Sequence, residues 1–193
     1  MSGFRDHIFS FEPILEDYER IKQLAGDDKR VACGYALGSE SGSKSFNINR
    51  VSNNETVLSS FLPLKGLVEV TKSTTVEIRR LDDILPQLML GIDAPRIFLK
   101  MDTQGFDGEV VSEATASLSN VFGLQSELAV VPLYEGMRPY TESLRCYEGS
   151  GFRLMDLFVV NEIEMGGVLE YDCLMAKEFA LGITRRQPHP LSV

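Results

Sequence analysis

The chain has 193 residues, of which 44% are hydrophobic and 24% charged, enough apolar side chain for a sizeable core and too much for wholesale disorder. Nineteen Lys and Arg against 28 Asp and Glu leave a net charge of -9, a surface that repels phosphate backbones and argues against a nucleic-acid partner. No apolar run reaches the roughly 18–20 residues that cross a bilayer, and the first residues lack the apolar stretch of a leader, so no membrane span and a cytoplasmic location are expected.

In chain order, Ile8, Phe9 and Phe11 form a short apolar run suited to a strand. Pro13 suits a first helical position, and Ile14, Tyr18, Ile21 and Ala25 recur at helical spacing before the stop at Gly26. A second apolar run, Val31 to Leu37, ends at Gly38, which makes a strand, helix, strand unit with a parallel crossover. Ser39 to Ser60 is rich in Ser, Asn and Gly and predicts a polar loop or hairpin, with only Phe46 and Ile48 alternating as a strand would. Thr71 to Ile78 is β-branched and predicts another strand, and Arg80 to Leu85 a short helical turn.

Ile97 to Met101 is the most buried-looking strand of the chain. It ends at Asp102, followed by a glycine-containing turn and a helix from about Asp107. The carboxyl ends of parallel strands form the ligand crevice of open α/β sheets, so an acid there is well placed for chemistry. Val121 to Glu127 repeats that pattern. Tyr140, Leu144 and Tyr147 mark a helix stopped by Gly149 and Gly151, and Leu154 to Val160 with Leu169 to Ala176 predicts an antiparallel pair. The expected fold is α/β, one domain over 1–182, with a flexible tail over 183–193 that contains Pro188 and Pro190. Cys33, Cys146 and Cys173 are odd in number and widely spaced, as free thiols of a reducing compartment are.

The motifs Phe9-Ser10-Phe11-Glu12-Pro13, Ala36-Leu37-Gly38, Arg80-Leu81-Asp82-Asp83-Ile84-Leu85, Leu99-Lys100-Met101-Asp102-Thr103-Gln104-Gly105-Phe106-Asp107 and Pro132-Leu133-Tyr134-Glu135-Gly136 occur in this order. Together they closely resemble the FkbM family of S-adenosylmethionine-dependent methyltransferases, and Gly151-Phe152-Arg153-Leu154 falls where that family enters a late strand. The resemblance covers most of residues 8 to 176. It implies a doubly wound, mostly parallel, Rossmann-like methyltransferase sheet finished by an antiparallel strand pair. It also implies methyl transfer to a hydroxyl of a small molecule, sugar or lipid-like acceptor.

By the same resemblance Glu12 holds the two ribose hydroxyls of the donor, a task suited to a carboxylate that accepts parallel hydrogen bonds, with Pro13, Leu37 and Asp102 also against the cofactor. Glu12 equally suits a cap on the helix after Pro13. Asp102 matches the acid of the family's Lys-x-Asp-x-x-Gly motif and, with Glu127, is the candidate for orienting or deprotonating the acceptor; it also suits a backbone cap. His7 and His189, the two histidines, are not at strand ends facing the crevice. Gln104, Tyr134 and Glu135 are the candidate acceptor-binding residues, and Asp107 and Glu109 belong to a helix start. Asp102, Asp107 and Glu127 make a Mg²⁺ site less well than a solvated acidic cluster, and no Cys/His pair has zinc spacing, so no metal is expected.

One feature departs from the family pattern: no strand followed by an Asp-x-Gly-x-x-x-Gly turn, which cradles the methionine part of the donor, occurs in the chain. Donor binding is accordingly expected to be weak or absent. The fold is expected to be N-terminally truncated relative to the family, with the strands ending at Glu12 and Asp102 closing up to pair directly, a second copy of the chain completing the sheet, or the missing strand lying upstream of Met1. The alternative function is a non-catalytic methyltransferase-fold remnant that serves as an interaction or oligomerisation module. A nicotinamide-dependent dehydrogenase is disfavoured because no Gly-x-Gly-x-x-Gly follows a strand.

Overall fold

The computed structural model describes residues 6–50, 56–66, 72–164 and 166–178; the tail expected over 183–193 lies outside them. It is an α/β structure with mixed sheets. The apolar run at the start forms β1 (Ile8–Phe11), helix α1 (Leu15–Leu24) follows Pro13, and β2 (Arg30–Cys33) returns parallel to β1, in register from Ile8 opposite Arg30 to Phe11 opposite Cys33. The expected crossover unit is present.

The run from Val31 to Leu37, expected as one strand, is two. The chain bends at Gly34 and Tyr35, and β3 (Ala36–Leu37) joins a different sheet, parallel to β5 (Lys72–Arg79). Tyr35 explains the break: its ring is tilted on Phe11 at 5.7 Å and lies under the Arg79 guanidinium at 4.1 Å, so the side chain holds the corner between the sheets. The polar stretch before β5 contains β4 (Gly42–Ile48), antiparallel to β5. Phe46 and Ile48 bury their side chains with Ile14 and Val76 in a small second core. Residues 51–55 of that stretch lie outside the description.

Helix α2 (Leu81–Leu88) buries Leu81, Ile84 and Leu85, and its Asp82 carboxylate accepts the N–H groups of Ala116 and Ser117 at 3.1 and 2.7 Å, tying α2 to the 3-10 turn at Ser117–Ser119. The largest sheet contains β6 (Ile97–Lys100), β7 (Val121–Ala129), β8 (Phe152–Glu162) and β9 (Val168–Lys177) in the order β6, β7, β9, β8. β6 is parallel to β7; β9 lies between β7 and β8 and is antiparallel to both. Helices α3 (Asp107–Ser112) and α4 (Tyr140–Gly149) supply Val110, Val111 and Tyr147 to the main core, which meets Leu124, Leu128, Phe152, Cys173 and Met175.

Two expectations about this sheet need correction. β6 is not the most buried strand but an edge, with no partner on its other side among the described residues, and Phe98 is 56% exposed. β7, paired on both sides, takes the buried place, because a short apolar run does not by itself say how many neighbours the strand has. Nor do the strands ending at Glu12 and Asp102 pair directly: β1 and β6 are in separate sheets, and Phe11 and Tyr35 reach the main core only by side-chain packing. The three cysteines are free thiols, with Cys33 and Cys173 buried. Among the described residues no helix is long and apolar enough to cross a membrane.

Just after β3, the backbone at Gly38 comes close to Ile78 of β5 and to Phe106. A Cβ there would lie 2.4 Å from Ile78 Cδ1 and 2.9 Å from Phe106 Cε1, and Ile78 has no exposed surface. Gly38→Ala should cost about 1–3 kcal/mol by overpacking. Ile78→Val removes the clashing Cδ1, so the double variant should lose less than the sum of the two single losses. Urea denaturation of the four proteins measures this, and additive losses would show that the contact at Gly38 is not the close one.

Candidate active site at the carboxyl ends of β6 and β7

The site begins with strand register. Lys100 of β6 lies opposite Gln125 of β7, and the Met101 N–H continues the ladder to the Gln125 carbonyl at 2.8 Å. Two residues on, the alternation of a strand brings Asp102 beside Glu127 on the same face. The two carboxylates are joined by one side chain. Gln104 Nε2 donates to Asp102 Oδ1 at 2.9 Å and to Glu127 Oε2 at 3.1 Å, and Gln104 Oε1 accepts from the Tyr134 hydroxyl at 2.8 Å.

Gln104 has φ of +51°, in the left-handed region that costs a non-glycine residue about 1–3 kcal/mol. Gly105 follows at +88°, where glycine is free of that cost. The turn is held from outside. Ser60 Oγ donates to the Gln104 carbonyl at 2.7 Å, and the Tyr134 hydroxyl also reaches the Leu58 carbonyl at 3.0 Å. Tyr134, only 1% exposed, therefore acts as a buried post for Gln104 rather than as a wall of an open pocket.

The electrostatics follow from this crowding. Burial, then the neighbouring charges of Asp102, Glu170 and Asp107, push the Glu127 carboxyl up to about 8. Glu170 is itself buried, accepts from Asn161 Nδ2 at 2.7 Å and is raised first by desolvation. Asp102 remains half exposed, with Lys100 Nζ 3.6 Å from its Oδ2. One acid accessible to solvent thus stands beside another that carries its proton at neutral pH.

Asp107 belongs to a different network on the core side. Its Oδ1 accepts the Thr103 N–H at 2.9 Å and the Thr103 hydroxyl, and its Oδ2 accepts from Ser126 Oγ at 2.6 Å, which lies 2.7 Å from the Tyr147 hydroxyl. Burial raises the Asp107 carboxyl above its ordinary range. A cavity of about 10 Å³ between Gly105, Asp107, Glu127 and Arg138 has room for one water. Among the described residues no group of three His, Cys, Asp or Glu side chains is placed to hold a metal ion.

The remaining candidates stand apart. Glu12 follows β1 and spends Oε1 on the Ile14 N–H at 2.7 Å, in the turn before α1, whose first turn has no side-chain cap; burial raises its carboxyl. Pro13 lies next to it, and Leu37 is packed in the main core. Glu135 is exposed, its N–H bonded to the Pro63 carbonyl at 2.8 Å. Among the described residues none of these four makes a hydrogen bond to the Asp102, Gln104, Glu127 and Tyr134 chain.

Sequence reasoning missed Ser60, Glu170 and the Ser126–Tyr147 pair. Glu170 carries a usable signal, since it falls out of phase with the apolar alternation Leu169, Tyr171, Cys173, Met175 and so must leave the core face. Ser60 carries none, because its role depends on a turn 44 residues away.

The raised Glu127 carboxyl makes stability depend on pH with a definite sign. Its proton is held more tightly folded than unfolded, so its contribution is complete below the ordinary carboxylate range, near 4.5, and is lost as pH rises through about 8. Denaturation midpoints between those limits should fall with rising pH, and Glu127→Gln should flatten the slope. An equal slope in that variant would remove Glu127 as its source.

Among known proteins, no family model matches the chain, and neither a curated protein nor a solved structure does.

Proposed function

We propose that this chain carries the acceptor side of an FkbM-type O-methyltransferase site on a doubly wound, Rossmann-like frame. The observation that carries this reading is Asp102, just past the end of β6, set beside Glu127 of the adjacent parallel strand β7, with Gln104 fixing both carboxylates. Ligands of open α/β sheets lie at that end. Further support comes from the parallel β1–β2 pair, which ends at Glu12, and from the antiparallel β9–β8 finish of the main sheet.

The roles follow from exposure and charge. Asp102, half exposed, accepts the proton of a small-molecule, sugar or lipid-like hydroxyl at a carboxylate oxygen. Glu127, protonated through burial and repulsion, leaves one negative charge in the pair rather than two. Gln104 keeps Asp102 in line and, with both amide contacts used, does not itself bind the acceptor. Tyr134 acts through Gln104.

The donor, S-adenosylmethionine, does not fit the residues described. The cavity beside Glu127 holds one water, Glu12 has one oxygen committed to Ile14, Leu37 is closed into the core, and no described strand stands between β1 and β6. These same facts favour a second reading, a non-catalytic methyltransferase-fold remnant that serves as an interaction module.

Titration calorimetry with S-adenosylhomocysteine should give no tight binding, with a dissociation constant no better than roughly 1 mM; micromolar binding would show that the donor is held after all. A methyl-transfer screen at saturating donor over hydroxyl acceptors then separates the readings. Turnover that Asp102→Asn lowers by about 10²–10⁴-fold supports the enzyme. Turnover that this variant leaves unchanged removes Asp102, and no turnover from the parent leaves the module.

A further inference from the structure

The cavity of about 10 Å³ beside Glu127 is walled on its inner side by the buried Asp107, Ala129 and Ser143. Toward solvent it is closed by Met137 and Arg138, both half-buried, in a segment whose neighbours Gly136 and Pro139 are exposed. That segment links the loop after β7 to α4. From Gly136 to Arg138 the one backbone bond among the described residues runs from the Met137 N–H to the Tyr134 carbonyl at 3.4 Å, longer than the usual range.

Side chains hold the segment instead, in a groove made by two glycines. A Cβ on Gly105 would lie 3.1 Å from Met137 Cγ, and one on Gly108 would lie 2.9 Å from Arg138 Cδ. Gly108 has helical backbone that any residue adopts, so what its missing side chain supplies is room. Arg138 Nε then donates to Glu109 Oε1 at 3.0 Å.

That ion pair is a loose catch. Its side chains are 33% and 26% exposed, so water and salt compete for it. Glu109 Oε2 is buried with no hydrogen-bond partner among the described residues, and opening the pair returns that oxygen to water. At the other end of the segment Gly136 has φ of +73° and nothing within 4 Å of its Cβ position, which leaves space for a swing.

We propose that Met137 and Arg138 form a strap that swings on Gly136 and gates the cavity beside Glu127, with the Arg138–Glu109 ion pair as its latch. Gln104 occupies Glu127 Oε2. The opened cavity is then the route by which a small polar molecule reaches Glu127 without displacing Gln104. The gate is a property of the fold and stands apart from the methyl-transfer reading, since its test measures access and not turnover.

Ser143→Cys sets a thiol on the cavity wall of the full chain. Its rate of reaction with methyl methanethiosulfonate, a small neutral reagent, is read by peptide mass spectrometry. Gly108→Ala in that background should speed labelling at least about fivefold, because the new Cβ drives Arg138 out of the groove while alanine suits the helix better than glycine. Glu109→Gln breaks the latch and leaves the groove intact, and should speed labelling about 2–5-fold. Salt at about 1 M should do the same with the latch present and nothing further in Glu109→Gln. Cys173, with no exposed surface, is the control and should label at one slow rate throughout.

An introduced thiol that labels equally fast in all these backgrounds overturns the proposal. So does labelling of Cys173 that rises in step with it, which is opening of the whole fold. Amide hydrogen exchange in Gly108→Ala alone guards against a disturbance of α4 by Ser143→Cys. Exchange at Met137 and Arg138 should quicken while that of β7 does not, and unchanged exchange at those two amides also overturns the gate.

Discussion

Two carboxylates set side by side on adjacent parallel strands repel each other, and the candidate site is organised around that repulsion. Register alone brings Asp102 to Glu127, because the β6–β7 ladder continues through Met101. What keeps them together is one neutral amide with both of its contacts spent on them. The proton that Glu127 retains is the other half of the solution, since burial and the neighbouring charges raise its carboxyl. The Ser60 and Tyr134 contacts in turn hold Gln104 in a backbone conformation it would not choose alone. The unfavourable turn and the favourable amide bridge are therefore one feature.

The sheets show the same economy of contacts on a larger scale. β7 is the pivot: it pairs with β6 in parallel, with β9 in the opposite sense, and lends Leu124 and Leu128 to the core and Glu127 to the site. One strand of alternating character thus divides the molecule into an apolar side held by α3 and α4 and a polar side that carries the acids. Asp107 and Asp102, five residues apart, fall on opposite sides of that division, which is why they do not combine into a metal site.

Much of this was legible in the residues. The crossover from β1 to β2, helix α4 stopped at Gly151, and the β8–β9 pair follow from local periodicity and from turns of fixed length, which depend on near neighbours only. The acids after β6 and on β7 were visible because an ionisable residue stands out against an apolar run, although β7 does not close at Glu127 but continues to Ala129. The corner at Tyr35 was not legible, because it is set by Arg79 on a distant strand. The edge position of β6 was hidden for a related reason: burial depends on how many strands flank a run, and a short apolar run reads alike at a centre and at an edge. Tyr134 presented an aromatic that suited a pocket or a core, and the choice was made by Gln104, thirty residues earlier in the chain.

The bend at Gly34 and Tyr35 also bears on motion. It leaves β1 and β2 as a two-stranded ribbon, and α1, which spans the two, has no buried residue of its own. Such ribbons are marginal by themselves, so this one is held to the larger body by Phe11 and Tyr35 against the main core and by Ile14 in the second core. Its amides belong to the low end of the range of local opening energies, and those of β7 to the high end. Local opening of the β1–β2 ribbon would therefore carry Glu12 away while the four-stranded sheet keeps its own core.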